Sequence, residues 1–163
     1  MITVVKRNGH RVPLDIAKIQ RQVAHGCRGI DGVSPSMVEI KAQIELHDGM
    51  STETIDELLL KAMVNLIDES ENPEINNVNY QYVAGKQRLS MLRKDVYGSY
   101  EVPHLYEIVK KNVATGLYTS ELLDWYTQED WDKMNDMIDH SKDESYSYSA
   151  IEQLIEKYLV RNR

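Results

Sequence analysis

A single cysteine, Cys27, occurs in the whole chain, so neither an intrachain disulfide nor a CxxC zinc pair can form. A lone cysteine is a potential nucleophile. Its spacing from Ile16, Ile19 and Val23 instead puts it on the apolar face of a helix, where a free cysteine packs as a small hydrophobe. No apolar run approaches the roughly 18 to 20 residues that span a bilayer. The opening residues Met1–Lys6 lack the charged head and long apolar middle of a signal peptide, so the expected location is cytoplasmic, with no membrane partner. There is no Walker A loop and no GxGxxG. The five histidines, His10, His25, His47, His104 and His140, show neither HxH nor HExxH spacing, and no metal site is expected.

The net charge of −7 is unevenly spread. Residues 1–94 balance 12 basic against 12 acidic side chains, whereas residues 95–163 carry 7 against 14. The acidic second part argues against nucleic acid as a partner. Up to Arg28 the balance reverses, with Lys6, Arg7, Arg11, Lys18, Arg21 and Arg28 against Asp15 alone. A small basic cluster in a neutral region suits a compact anion such as a nucleotide.

Local patterns predict a small α+β module followed by a mainly helical segment. Ile2–Val5 and Arg11–Leu14 flank Asn8-Gly9, a strong hairpin signal, and Pro13 confines the returning strand to an edge or a strand end. Asp15 is a good N-cap for a first helix running to about Cys27. Ser34-Pro35 starts a second, with Met37, Ile40 and Ile44 among its apolar positions, closed by His47-Asp48-Gly49. Ser51 or Thr52 caps a third, which buries Ile55, Leu58, Leu59, Ala62, Met63, Leu66 and Ile67. After the polar break 69–73, a fourth carries Tyr82, Leu89 and Leu92 and ends at Arg93-Lys94, before a connector at 97–103. Short helices are expected near 103–115, 119–125, 127–138 and 149–159, with Trp125, Tyr126, Trp131, Met134, Met137 and Ile138 as their core.

Lys6 and Arg7 at the hairpin tip, beside the start of a helix that carries Lys18 one turn in, form the strongest chemical constellation. A helix start presents unpaired N–H groups that welcome phosphate; the alternative is a solvated charged turn. His140 with Asp143 suggests acid–base work, but the favoured reading is a helix end held by local hydrogen bonds.

Val5-Lys6-Arg7-Asn8-Gly9, Asp15, Lys18-Ile19, Ser51-Thr52, Tyr80–Ala84 and Leu92-Arg93-Lys94 resemble, in order and spacing, the ATP-cone at the N-terminus of ribonucleotide reductases. The reductase repressor also carries a cone, but it needs a zinc ribbon, which one cysteine excludes. Beyond the cone, Val96–Pro103, Leu122–Tyr126, Ile138–Tyr148 and Lys157–Val160 resemble class Ia large subunits, bacterial and bacteriophage versions above all. The resemblance implies an ATP-cone over 1–95, built as a β-hairpin cap on a four-helix bundle, and a helical large-subunit segment over 96–163. It implies ATP or dATP as allosteric ligand, with Lys6, Arg7, Lys18 and Lys94 on the phosphates, Asp15 near ribose or base, and Thr52 as a further contact. It also implies the remainder of the large subunit and the reductase small subunit, with its di-iron tyrosyl radical, as partners in ribonucleoside-diphosphate reduction.

The family's catalytic cysteines and radical-transfer tyrosines lie downstream, so no catalytic residue is expected in this chain and activity only within a complex. The sequence is thus expected to be a cut piece or a naturally split subunit. The alternative is a stand-alone nucleotide-sensing or protein-interaction module. Asn8 replaces the aspartate usual in the turn, Val12 a common polar residue, and Asp56 a histidine near the nucleotide, while the polar stretch 71–77 lengthens a loop. These departures predict a cone that binds weakly or no longer distinguishes ATP from dATP.

Overall fold

A computed structural model describes residues 2–43, 46–68 and 77–159. The chain is mostly helical with one three-stranded sheet, and it divides into two compact units: Met1–Met91 with Glu144–Arg163, and Leu92–Asp143. No described helix is long and apolar enough to cross a membrane.

In the first unit, strands β1 (Thr3–Val5) and β2 (Arg11–Pro13) pair antiparallel with Val4 opposite Val12. The expected hairpin is present, but Asn8-Gly9 does not form a two-residue turn. Gly9 N–H donates to Lys6 O (2.8 Å) and Lys6 N–H to His10 O (2.9 Å). Gly9 lies at φ +81°, and no described non-glycine residue has positive φ, so Asn8 is not left-handed. This is the longer hairpin loop in which glycine takes the bulge position after an ordinary turn.

A third strand, β3 (Met50–Ser51), runs parallel to β1 and makes β1 central, with Val4 opposite both Val12 and Met50. Sequence patterning did not anticipate it, because two residues carry no alternation. It is positioned by Gly49 N–H donating to Thr3 O (2.9 Å) and by Asp48, whose Oδ1 accepts from Thr3 N (2.7 Å) and Oγ1 (2.8 Å). Those two bonds hold the Asp48 carboxyl below its usual range.

Helix α1 (Ile16–Cys27) starts at Asp15, whose carboxylate accepts from Lys18 N (3.0 Å), and buries Val23 and Cys27. Ile16 is 55% exposed rather than buried with them, since it precedes the first full turn. Helix α2 (Pro35–Gln43) buries Val38 and Ala42; the expected Met37 and Ile40 are exposed, and Ile44 lies outside the described residues. Apolar residues all round this helix left its inner face ambiguous. Ser51 caps α3 (Thr52–Asp68), its Oγ accepting from Thr54 N (2.9 Å), and Ile55, Leu59, Ala62, Met63 and Leu66 form the buried stripe. Leu58 and Ile67 are half-buried. The break at 69–73 lies outside the described residues.

Helix α4 (Tyr80–Tyr97) runs past Arg93-Lys94, where the sequence suggested an end, and stops before Gly98 at φ +79°. Tyr80, Val83 and Ala84 supply its core contacts, whereas Tyr82 points outward. Helix α8 (Tyr148–Lys157), capped by Ser147, returns to this unit and buries Ile151.

The second unit holds the last turns of α4 with α5 (Leu105–Ala114), α6 (Glu121–Trp125) and α7 (Gln128–Asp136). Thr127 and Asp130 close a reciprocal capping box at α7, and Asn135 Oδ1 accepts from Leu105 N (3.0 Å). Val109 and Trp131 are its buried core, with Tyr106 and Tyr126 on the Trp131 ring. Met134 is half-buried, and the other expected core residues, Trp125, Tyr126, Met137 and Ile138, are exposed. A unit this small has too little interior to enclose them all.

Candidate functional site

The hairpin tip presents Lys6 and Arg7 on the surface, with Asn8 Oδ1 accepting from His10 N (3.2 Å) to stiffen the loop. Arg7 Nε lies 3.2 Å from Glu53 Oε1, which ties the tip to the first turn of α3. Sequence reasoning set the tip beside the start of the first helix, the one that carries Lys18; the ion pair joins it to the start of α3. Thr52, half-buried, precedes Glu53, and because Ser51 already caps the helix the Thr52 hydroxyl is not needed for that task.

At α1, Asp15 spends one carboxylate oxygen on the Lys18 N–H, and its other oxygen lies 3.7 Å from Arg21 Nη2. The start of α1 thus already carries an anionic cap. Lys6 and Lys18 have no ion-pair partner among the described residues, and both are exposed. Lys94 belongs to the second unit, while the other five predicted site residues belong to the first.

The first unit also holds a partly open cavity of about 250 Å³. Its walls are apolar, with Leu14, Ile16 and Ile19 from the segment that carries Asp15 and Lys18, and Ile55, Leu58 and Leu59 from α3. Gln20 and Glu39 are its polar lining residues, the Gln20 amide donating to Glu39 Oε2 at 3.5 Å. Sequence reasoning missed the cavity because its walls come from elements far apart in the chain; the available signal was Ile16, too apolar for its exposed position.

A buried polar cluster, also unforeseen, joins α1, α3 and α4. Gln22 Nε2 donates to Asp56 Oδ1 (2.8 Å) and to Gln87 Oε1 (2.9 Å), and Gln87 Nε2 donates to the Asp56 backbone oxygen (3.1 Å). Gln22 follows Lys18 by one helical turn and Asp56 follows Thr52 by one turn, so each lies on the same helix face as its partner residue. Asp56 is 6% exposed, so its charge is engaged by amides inside the unit.

Cys27 is buried, and loss of hydration pushes its thiol up to about 11, which suits a packing role and not a nucleophile. In the second unit Asp143 Oδ2 accepts from Arg93 Nη2 (2.9 Å) and lies 3.4 Å from His140 Nδ1. Arg93 is buried and stacks over Tyr100, 5.2 Å from the ring centroid. This is a structural ion pair that closes a chain segment. Among the described residues no group of three or more His, Cys, Asp or Glu is placed to hold a metal.

Residues 2–95 match the family described as the ATP cone domain. The chain is 40% identical to the ribonucleoside-diphosphate reductase subunit alpha of Haemophilus influenzae over 99% of its own length and 21% of that relative. Identity to ribonucleoside-diphosphate reductase 1 subunit alpha of Escherichia coli is 39%, over 99% of the chain and 20% of the relative. To the subunit alpha of Enterobacteria phage T4 it is 33%, over 100% and 21%. The chain spans about a fifth of the length of these relatives.

Proposed function

Because the chain belongs to the ATP-cone family, we propose that it is the regulatory N-terminal part of a ribonucleoside-diphosphate reductase large subunit, binding ATP or dATP as an allosteric ligand. The observation that carries this reading is the ATP-cone match over residues 2–95, supported by exposed Lys6 and Lys18, which have no ion-pair partner among the described residues, and by an apolar cavity lined by Ile19, the neighbour of Lys18 in the chain. At about 250 Å³ the cavity falls below the roughly 300–1,000 Å³ of pockets that enclose drug-sized ligands. It therefore takes the base alone and leaves the triphosphate on the surface.

Lys6 and Lys18 hold phosphate oxygens as charge-assisted donors, and Arg7 joins them by exchanging Glu53 for phosphate. Asp15 lies near the ribose, and Thr52 adds a hydroxyl. Gln20 and Glu39 offer one donor and one acceptor to the edge of the base. The hairpin acts as a cap on a bundle of α1 to α4, with the cone spanning 1–95 and a helical segment of the large subunit spanning 96–163.

The chain contributes regulation and assembly and no catalytic group. The chemistry belongs to the remainder of the large subunit together with a small subunit that carries the di-iron tyrosyl radical. Mixing the chain with a polypeptide that supplies the catalytic barrel, plus the small subunit, and assaying diphosphate reduction tests the assembly. Reduction that depends on this chain supports the reading. Failure of the chain to associate with the barrel favours a stand-alone nucleotide-sensing module.

A further inference from the structure

The segment 144–157 crosses α4 at a glycine. A Cβ built on Gly85 would overlap Tyr146 O and lie 3.0 Å from the Ser147 carbonyl carbon and 3.1 Å from Tyr148 N. All three are backbone atoms, so the crossing chain has no room to yield by a rotamer change. On either side, Arg88 forms an ion pair with Glu152 and Lys86 Nζ lies 4.0 Å from Glu144 Oε2. Ile151 is 2% exposed, and Tyr148 packs against the core of the first unit. The segment is thus a strap fastened by backbone contact, charge and burial.

The same turn of α4 faces the other way through Gln87, between Lys86 and Arg88, which bonds to Gln22 and to the Asp56 backbone. Gln22 and Asp56 lie one turn beyond Lys18 and Thr52. One helical turn therefore carries the strap on one side and the floor beneath the proposed nucleotide contacts on the other.

We propose that docking of the 144–157 strap and occupancy of the nucleotide site are thermodynamically coupled through α4. The inference rests on the nucleotide reading above. When the strap seats, it fixes the position of Gln87, and Gln87 fixes the Gln22–Asp56 pair beneath Lys18 and Thr52. Coupling of this kind is reciprocal, so nucleotide must tighten the strap by the factor by which the strap tightens nucleotide.

Two full-length variants release the strap by different means. Glu152→Arg sets like charges together. Gly85→Leu cannot fit beneath the crossing backbone, while leucine suits the interior of α4 better than glycine does. Amide hydrogen exchange over 144–157 reports the strap, and calorimetric titration with ATP reports the site. The expected result is slower strap exchange when ATP saturates the wild type, with faster exchange and about tenfold weaker ATP binding in Glu152→Arg. The double variant Arg88→Glu/Glu152→Arg restores both, which general destabilisation would not. Released strap exchange with ATP affinity within twofold of wild type overturns the coupling, as does ATP leaving strap exchange unchanged. If Gly85→Leu fails to fold, the charge-reversal pair decides alone. If the wild type binds no ATP, the nucleotide reading falls and the coupling with it, while the exchange of the variants still reports whether the strap is fastened as described.

Discussion

Arg7 Nε and Glu53 Oε1 lie 3.2 Å apart, joining a cation of the hairpin tip to the first turn of α3. The Glu53 side chain is 58% exposed, so the pair itself stabilises the fold by at most about 1 kcal/mol. Its consequence is for binding, since a phosphate must compete with Glu53 for Arg7. Glu53→Gln is expected to strengthen ATP binding by a factor of about 2 to 5, measured by calorimetry at low salt, with the gain shrinking as salt screens the charges. Weaker binding in this variant would show that Arg7 stays with Glu53.

Asp15 has two tasks that substitution separates. Its carboxylate caps α1 through Lys18 N. Asp15→Asn keeps a good cap and should leave thermal stability nearly unchanged, whereas Asp15→Ala should cost about 1 kcal/mol in chemical denaturation. A change in ATP affinity in Asp15→Asn would then report the Asp15 charge and its proposed ribose contact, separately from the cap.

The Gln22–Asp56–Gln87 cluster makes a further prediction. Asp56→Ala removes the carboxylate that accepts from Gln22 Nε2, while Gln87 Nε2 keeps the Asp56 backbone oxygen, and should cost about 1 to 2 kcal/mol of unfolding free energy. Replacing all three by leucine should cost far less, because no polar group is then left unpaired. Denaturant titrations of single and triple variants check this, and additive losses would show that the three side chains act separately.

Burial holds the Cys27 thiol protonated up to about 11, above the ordinary value of 9.0. A raised folded-state value stabilises the fold below the unfolded value and loses that contribution as pH climbs through the folded one. Unfolding free energy should therefore fall between pH 9 and pH 11, and Cys27→Ala should flatten that fall. Alkylation of the thiol at pH 8 should be slow in the native protein and fast in denaturant.

Local chemistry was legible in the sequence. Asp15 and Ser51 capped the helices they precede, the hairpin formed around Asn8-Gly9, and the four short helices after residue 103 appeared close to their expected limits. What escaped depends on tertiary partners. Strand β3 forms through long-range pairing, with Val4 opposite Met50 and with Asp48 and Gly49 bonded to Thr3. Val38, not Met37 or Ile40, faces inward on α2, since neighbouring helices choose among apolar residues that surround it. The cationic residues of the site could be read from their clustering, but Arg7–Glu53, the cavity and the Gly85–Tyr146 approach bring together residues that no local pattern links.

The departures at Val12 and Asp56 bear on selectivity. With Asp56 held by Gln22, its charge is partly spent on amides, and the expectation of weak or indiscriminate binding becomes a ratio to be measured. Paired titrations with ATP and dATP should give affinities within about threefold of each other, within the roughly 1.4 kcal/mol that marks a factor of ten. Tight binding of dATP with clear preference over ATP would contradict this.

The most direct test of the central claim is a calorimetric titration of ATP into the wild type, Lys6→Ala and Lys18→Ala at two salt concentrations. Saturable binding by the wild type that weakens with salt, and by about tenfold or more in each lysine variant with stability unchanged, is the predicted result. No binding by the wild type, or binding indifferent to both lysines, would contradict it.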